Sequence, residues 1–271
     1  MAFVALRMHD GTVRFVGSAF WLGRDIPGQA RTTRTYLVTA RHVIDDIRKT
    51  GLDQVWLRLN HTDGSSRWAP TNISQWYVHP SDASLDVTIL EAGVPDGHDH
   101  LVVPFSLCLT PELAETNEVA LGDEVFVVGL FTHHHGEQRN IPIVRVGNLA
   151  AKDEEKLNSV AFGRMDAYLI EARSIGGLSG SPVFLNLGLT RIVGGQFRQA
   201  TGHITLLLGL VHGHYDVETS KLDAHMQHPD RVNTGIAIVV PIHNIRAVID
   251  QYEGDQKAST NIAPDAPGAT S

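Results

Sequence analysis

Short apolar runs of about four to eight residues, each closed by turn-forming residues, recur along most of the chain. They predict strands near 12–22, 34–40, 53–59, 73–79 and 86–91. A second series falls near 123–130, 142–151, 166–172, 181–185, 190–197, 204–212 and 234–240. Asp10-Gly11, Asp63-Gly64, Asp96-Gly97 and Gly122-Asp123 mark turns between them. Many short strands at this spacing predict an all-β barrel or sandwich. Only after Pro241 do apolar positions shift to helical spacing, so a C-terminal helix is expected over 242–250. The stretch 93–118 opens with Pro, Gly, His and Asp and reads as a connection, which divides the chain into 1–105 and 106–253. Residues 254–271 carry almost no large apolar group and are expected to be a disordered tail.

Composition narrows the class. The chain has 271 residues, 42% hydrophobic, with a net charge of −8, and its mean hydropathy is −0.07. These are values of a soluble globular protein with a sizeable core. The negative charge, with no Lys/Arg cluster, argues against nucleic acid as a partner. No apolar run approaches the ~20 residues that span a bilayer, so no membrane role is expected. The N-terminus shows no basic region followed by an apolar core, so no secretion signal is expected. A single cysteine, Cys108, excludes an internal disulfide framework and suits a reducing cytoplasm. Without a neighbouring cation it reads as a buried, inert thiol.

The densest chemical signal is Gly176-Gly177-Leu178-Ser179-Gly180-Ser181-Pro182-Val183, a tight turn that presents one serine before an apolar strand. A serine hydroxyl needs a base beside it and donors aimed at the oxyanion it creates. Small neighbours let a carbonyl approach the backbone, and Gly177 can aim its N–H at the same point as Ser179. Ser181 is expected to bond the local turn. The base candidate is His42, at the end of Tyr36-Leu37-Val38-Thr39-Ala40-Arg41-His42. The acid candidate is Asp86, in Ser84-Leu85-Asp86-Val87-Thr88-Ile89-Leu90, preferred over Asp82, which lies in a loop-like stretch. A triad acid must be held near the core to fix an imidazole tautomer.

The order His, Asp, Ser is that of chymotrypsin-type enzymes. Thr39-Ala40-Arg41-His42, Leu85-Asp86-Val87-Thr88-Ile89-Leu90 and Gly177-Leu178-Ser179-Gly180-Ser181-Pro182 resemble the three motifs of trypsin-like serine peptidases. Gly180-Ser181-Pro182 is similar to the bacterial glutamyl-endopeptidase branch. The resemblance covers roughly residues 12–250. It implies two six-stranded antiparallel β-barrels of chymotrypsin type with a C-terminal helix. It also implies serine endopeptidase activity on peptide or protein substrates without a cofactor. Its catalytic residues would be His42, Asp86 and Ser179, with Gly177 and Ser179 as the oxyanion hole. The alternative is a peptidase-fold module that docks a peptide along the 210–214 edge and turns over little.

Leu178 stands where animal relatives carry the aspartate that pairs with a freed N-terminal amine. No such zymogen switch is expected, although a regulatory partner could set the oxyanion loop. The resemblance places Arg173 at the floor of the specificity pocket, with Val211, His212 and His214 on its wall. Arg173 with a histidine could favour an acidic residue before the scissile bond; an apolar pocket of Leu210, Val211 and Ile236 is the rival reading. His133-His134-His135 lacks an acidic or cysteine partner at ligand spacing, so no metal site is expected.

Overall fold

A computed structural model describes residues 1–29, 32–159, 162–172, 177–199, 204–218 and 231–261. The first half holds β1 (Ala2–Arg7), β2 (Val13–Asp25), β3 (Thr33–Thr39), β4 (Gln54–Asn60), β5 (Ser66–Asn72), β6 (Thr88–Glu91) and β7 (Val102–Pro104). They form one sheet in the order β5-β4-β1-β2-β3-β6, with β7 parallel on β2. Helix α1 (Arg41–Lys49) follows β3 directly.

The second half holds β8 (Glu124–Gly129), β9 (Ile143–Ala151), β10 (Leu157–Ser159), β11 (Gly163–Met165), β12 (Tyr168–Glu171) and β13 (Pro182–Asn186). Next come β14 (Thr190–Val193), β15 (Gln196–Gln199), β16 (Thr205–Glu218) and β17 (Arg231–Pro241). Six of these close a barrel in the order β12-β17-β16-β13-β8-β9. Helix α2 (Pro111–Thr116) joins the halves, and α3 (Ile242–Asn261) ends the described chain. No helix among the described residues is long and apolar enough to cross a membrane.

This is the chymotrypsin-like arrangement, with corrections to detail. Only the second half is a closed six-stranded barrel. The first is a half-barrel, and the stretch after β5 returns to β6 at one bridge, Tyr77 to Ile89. The strand expected at 73–79 begins as a 3-10 turn, Ile73–Gln75, capped reciprocally by Asn72 and Gln75. The run expected at 190–197 is a hairpin, β14 with β15. The expected disordered tail begins too early: α3 runs on to Asn261, and 262–271 lie outside the described residues.

The extra turns of α3 exist because they reach across to the first half. Ile242, Ile245, Val248 and Ile249 are buried at helical spacing. Beyond them Glu253 accepts from the Tyr36 hydroxyl (2.7 Å), and Asp255 accepts from the Tyr77 hydroxyl. The Tyr252 ring stands edge-on to Tyr77 and to Tyr36, at 5.1 and 6.2 Å. These polar residues look unstructured in sequence because their partners are more than a hundred residues away.

Tyr252→Ala is therefore expected to cost about 1–3 kcal/mol, from lost burial and lost ring contacts. Urea denaturation measures it. An unchanged midpoint would show that the last turns of α3 do not fasten the halves.

Candidate active site

Asp86 sits two residues before β6, between the buried Leu85 and Val87, and has no exposed surface. A carboxylate so placed must be fully bonded. Oδ1 accepts the backbone N–H of His42 at 2.8 Å. Oδ2 faces His42 Nδ1 at 2.8 Å and His212 Nδ1 at 2.5 Å.

The first of these bonds comes from how α1 begins. Residues Val43, Ile44 and Ile47 bury one face of the helix, while Asp45, Asp46, Arg48 and Lys49 lie on the other. The residue before the helix, Ala40, has no side chain that can cap it. The N–H of His42 is then one of the free donors at the helix start. Asp86 takes it, and its negative charge suits that end of the helix dipole. One carboxylate thus caps α1 and orients the histidine on it.

His212 reaches the same carboxylate because β16 is irregular. Val211 pairs with Val239 and Gly213 with Ile238, so His212 is the extra residue of a bulge. A bulge re-aims a side chain, and here it directs the imidazole at Asp86. His212 Nε2 lies 3.4 Å from Ser159 Oγ.

Burial alone would lower the pKa of His42; the charge and hydrogen bond of Asp86, with Asp46 and Asp45 farther off, raise it above 6.5. Burial alone would raise that of Asp86; the His42 charge and the bonds from both histidines hold it below the ordinary carboxylate range. The donor atoms of His42, Asp86 and His212 lie within 4.8 Å of one another and are of types that bind zinc. Both Nδ1 atoms, however, stand at hydrogen-bond distance from one oxygen, as N–H donors do.

Ser179 occupies the turn Leu178–Ser181, closed by the Ser181 N–H on the Leu178 carbonyl (2.9 Å). Gly180 has φ of +80°, and a Cβ there would collide with the Ser18 carbonyl and the Thr39 hydroxyl. Glycine is required on both counts. Leu178 is buried beneath the loop. The expected bond from Ser181 is not made: its hydroxyl is buried without a partner among the described residues, packed against Gly129. Among the described residues no acceptor takes the backbone N–H of Gly177 or Ser179. The Ser179 hydroxyl donates to the His212 carbonyl at 3.1 Å. It makes no hydrogen bond to His42 among the described residues.

Ser18, which the sequence reading passed over, joins the two halves at this point. It is fully buried on β2. Its N–H bonds the Ser179 carbonyl (2.9 Å), and its hydroxyl donates to the Gly177 carbonyl (3.2 Å) while accepting the Leu130 N–H (2.9 Å). Its carbonyl accepts from the Thr39 hydroxyl (2.8 Å). The N–H and hydroxyl of one serine thus seat the serine loop against the half-barrel.

The remaining candidates separate. Asp82 accepts from the Ser84 hydroxyl (2.6 Å) rather than from His42. Val211 is buried in the barrel core, His214 is exposed, and His212 lines a hollow beside His42. Arg173 lies outside the described residues. His135 packs on Phe15 with ring centroids 4.5 Å apart; the His133 side chain lies outside the described residues. Burial pushes the Cys108 thiol up to about 11, well into the inert range.

The model of the trypsin-like peptidase domain matches residues 17–194, which include His42, Asp86 and Ser179. The chain belongs to this family. No curated protein sequence matches it. Similar solved structures include Deg5, at 14% identity and TM-score 0.44, over 91% of this chain and 85% of that one. The MamO protease domain from Magnetospirillum magneticum is also 14% identical, with TM-score 0.43, over 84% of this chain and 93% of that one. Rv3671c from M. tuberculosis H37Rv is 17% identical, with TM-score 0.45, over 92% and 85%.

Within this trypsin-like domain Ser18→Ala leaves the Leu130 N–H without its acceptor and frees the Gly177 carbonyl. The expected cost is about 1–3 kcal/mol, read as a lower urea midpoint. Wild-type stability in the alanine protein would show that Ser18 does not bind the halves together.

Proposed function

We propose that this trypsin-like peptidase is a serine endopeptidase whose triad is Ser179, His42 and Asp86. The observation that carries the reading is the pair of hydrogen bonds between Asp86 and His42. Backbone N–H and Nδ1 are held by the two oxygens of one buried carboxylate, which fixes the tautomer with Nε2 as the basic nitrogen. In the proposed reaction Ser179 Oγ turns from the His212 carbonyl toward Nε2 and gives up its proton there. The oxygen attacks the substrate carbonyl, and the N–H groups of Gly177 and Ser179 receive the oxyanion. His42 then protonates the leaving amine, and water cleaves the acyl-serine by the reverse proton path. The substrate is a peptide or protein, and no cofactor enters.

The position of the Ser179 hydroxyl favours the other reading, a peptide-binding module, because the resting bond is to His212 rather than to the base. Apo geometry of this kind commonly tightens only with substrate. A cytoplasmic location belongs to the proposal, in keeping with one buried thiol; fractionation of the source cells tests it.

A fluorophosphonate probe should label Ser179 in the full-length chain without prior cleavage, and intact-mass spectrometry reads the adduct. Ser179→Ala should fold and not react. Labelling that persists in it would falsify the assignment. Asp86→Asn should lose on the order of 10⁴ in turnover, since an amide supports the wrong tautomer.

The pH dependence has a definite sign. His42 acts as base only when neutral, and Asp86 raises its pKa. Activity should therefore fall as pH drops, with a midpoint above the ordinary 6.5. A pH–rate profile of kcat/KM checks this; a midpoint below 6.5 would mean that burial outweighs the Asp86 charge.

A further inference from the structure

Two hollows flank His42, and their walls differ. The one on the His212 side, of about 600 Å³, is rimmed by Arg41, Asp45, Asp46, Arg48 and Lys49. The other, of about 750 Å³, is walled by Leu6, Val13, Phe15, Val16, Val43 and Ile47, and it opens onto both His42 and Gly177. We propose that this second hollow receives a large apolar side chain from the substrate residue that follows the scissile bond. The direction of the chain rests on the serine endopeptidase reading.

The proposed reaction sets the direction. A peptide paired along β16 before the scissile bond lies on the His212 side. Its carbonyl oxygen sits between the N–H groups of Gly177 and Ser179. The amine half of the bond, which takes the proton from His42, then emerges on the side away from β16. That side is the hollow containing His42 and Gly177 without His212.

The apolar wall is built in advance. The Phe15 ring stacks on Trp68 at 5.8 Å and 24°, and stands edge-on to Phe3 at 6.0 Å. His135 lies on it at 4.5 Å, and the Arg58 guanidinium at 5.9 Å. Arg58 is itself fixed by the carbonyls of Gly136 (2.7 Å) and Glu137 (2.5 Å). A ring held on four sides loses little freedom when a ligand covers it, so its buried area goes into affinity rather than ordering. Arg14 and Asp46 both line this hollow, so its preference rests on the apolar wall rather than on charge.

The test uses tetrapeptide amides with a free amine that differ only in their first residue, Phe, Leu, Gly or Asp. They mimic the leaving fragment and bind without turnover. Titration calorimetry with the full chain should give Kd values at least tenfold lower for Phe and Leu than for Gly and Asp. Phe15→Ala should erase that preference, and so should Val16→Asp, with thermal melts confirming that each variant folds. Affinities within twofold of one another, or a preference that survives both substitutions, would overturn the proposal. Because binding needs no chemistry, failure of the probe to label Ser179 bears on the peptidase reading and leaves this result standing. Matched cleavable peptides should then show the same order in kcat/KM.

Discussion

A carboxylate with no exposed surface is the constraint around which this molecule is arranged. Removing Asp86 from water costs several kcal/mol unless donors replace the solvent. Three do so, and they come from distant parts of the chain: the backbone and ring of His42 on α1, and the ring of His212 on β16. Satisfying Asp86 therefore fixes where α1 starts, how β16 bulges and which nitrogen of His42 remains free. Structural demand and the proposed chemical use coincide at one residue.

The division of labour follows the two sheets. The half-barrel carries the histidine and the carboxylate; the closed barrel carries the serine loop. Chemistry of this kind needs the two in register to within fractions of an ångström. The register is set at three levels of reach. Ser18 seats the serine loop directly. Arg58 clamps the loop around Gly136 and Glu137. The far turns of α3 tie Tyr36 and Tyr77 to Tyr252, Glu253 and Asp255. Each tie uses a polar group that would be costly to bury alone.

The asymmetry about His42 gives the site a direction. Charged side chains on α1 face one hollow, and the apolar start of β2 with the buried face of α1 walls the other. A short amphipathic helix thereby serves both: its outer face is the charged rim, and Val43 and Ile47 close the apolar floor.

The sequence alone determined what depends on neighbours along the chain. Short apolar runs identified most strands, and the contexts around His42, Asp86 and Ser179 marked the candidate residues, because each motif is a local structure. Tertiary structure decided what depends on register and distance. The bulge that sends His212 to Asp86 is invisible in composition, since a one-residue slip reverses a side chain without changing the pattern. Ser18 looks like any small residue in a strand until the serine loop lies against it. The run 190–197 folds back at Gly194-Gly195, where two consecutive positive φ angles form the turn, and the apolar pattern on either side runs straight across it. The polar end of α3 has the same origin: its partners are remote, and remote partners leave no local trace.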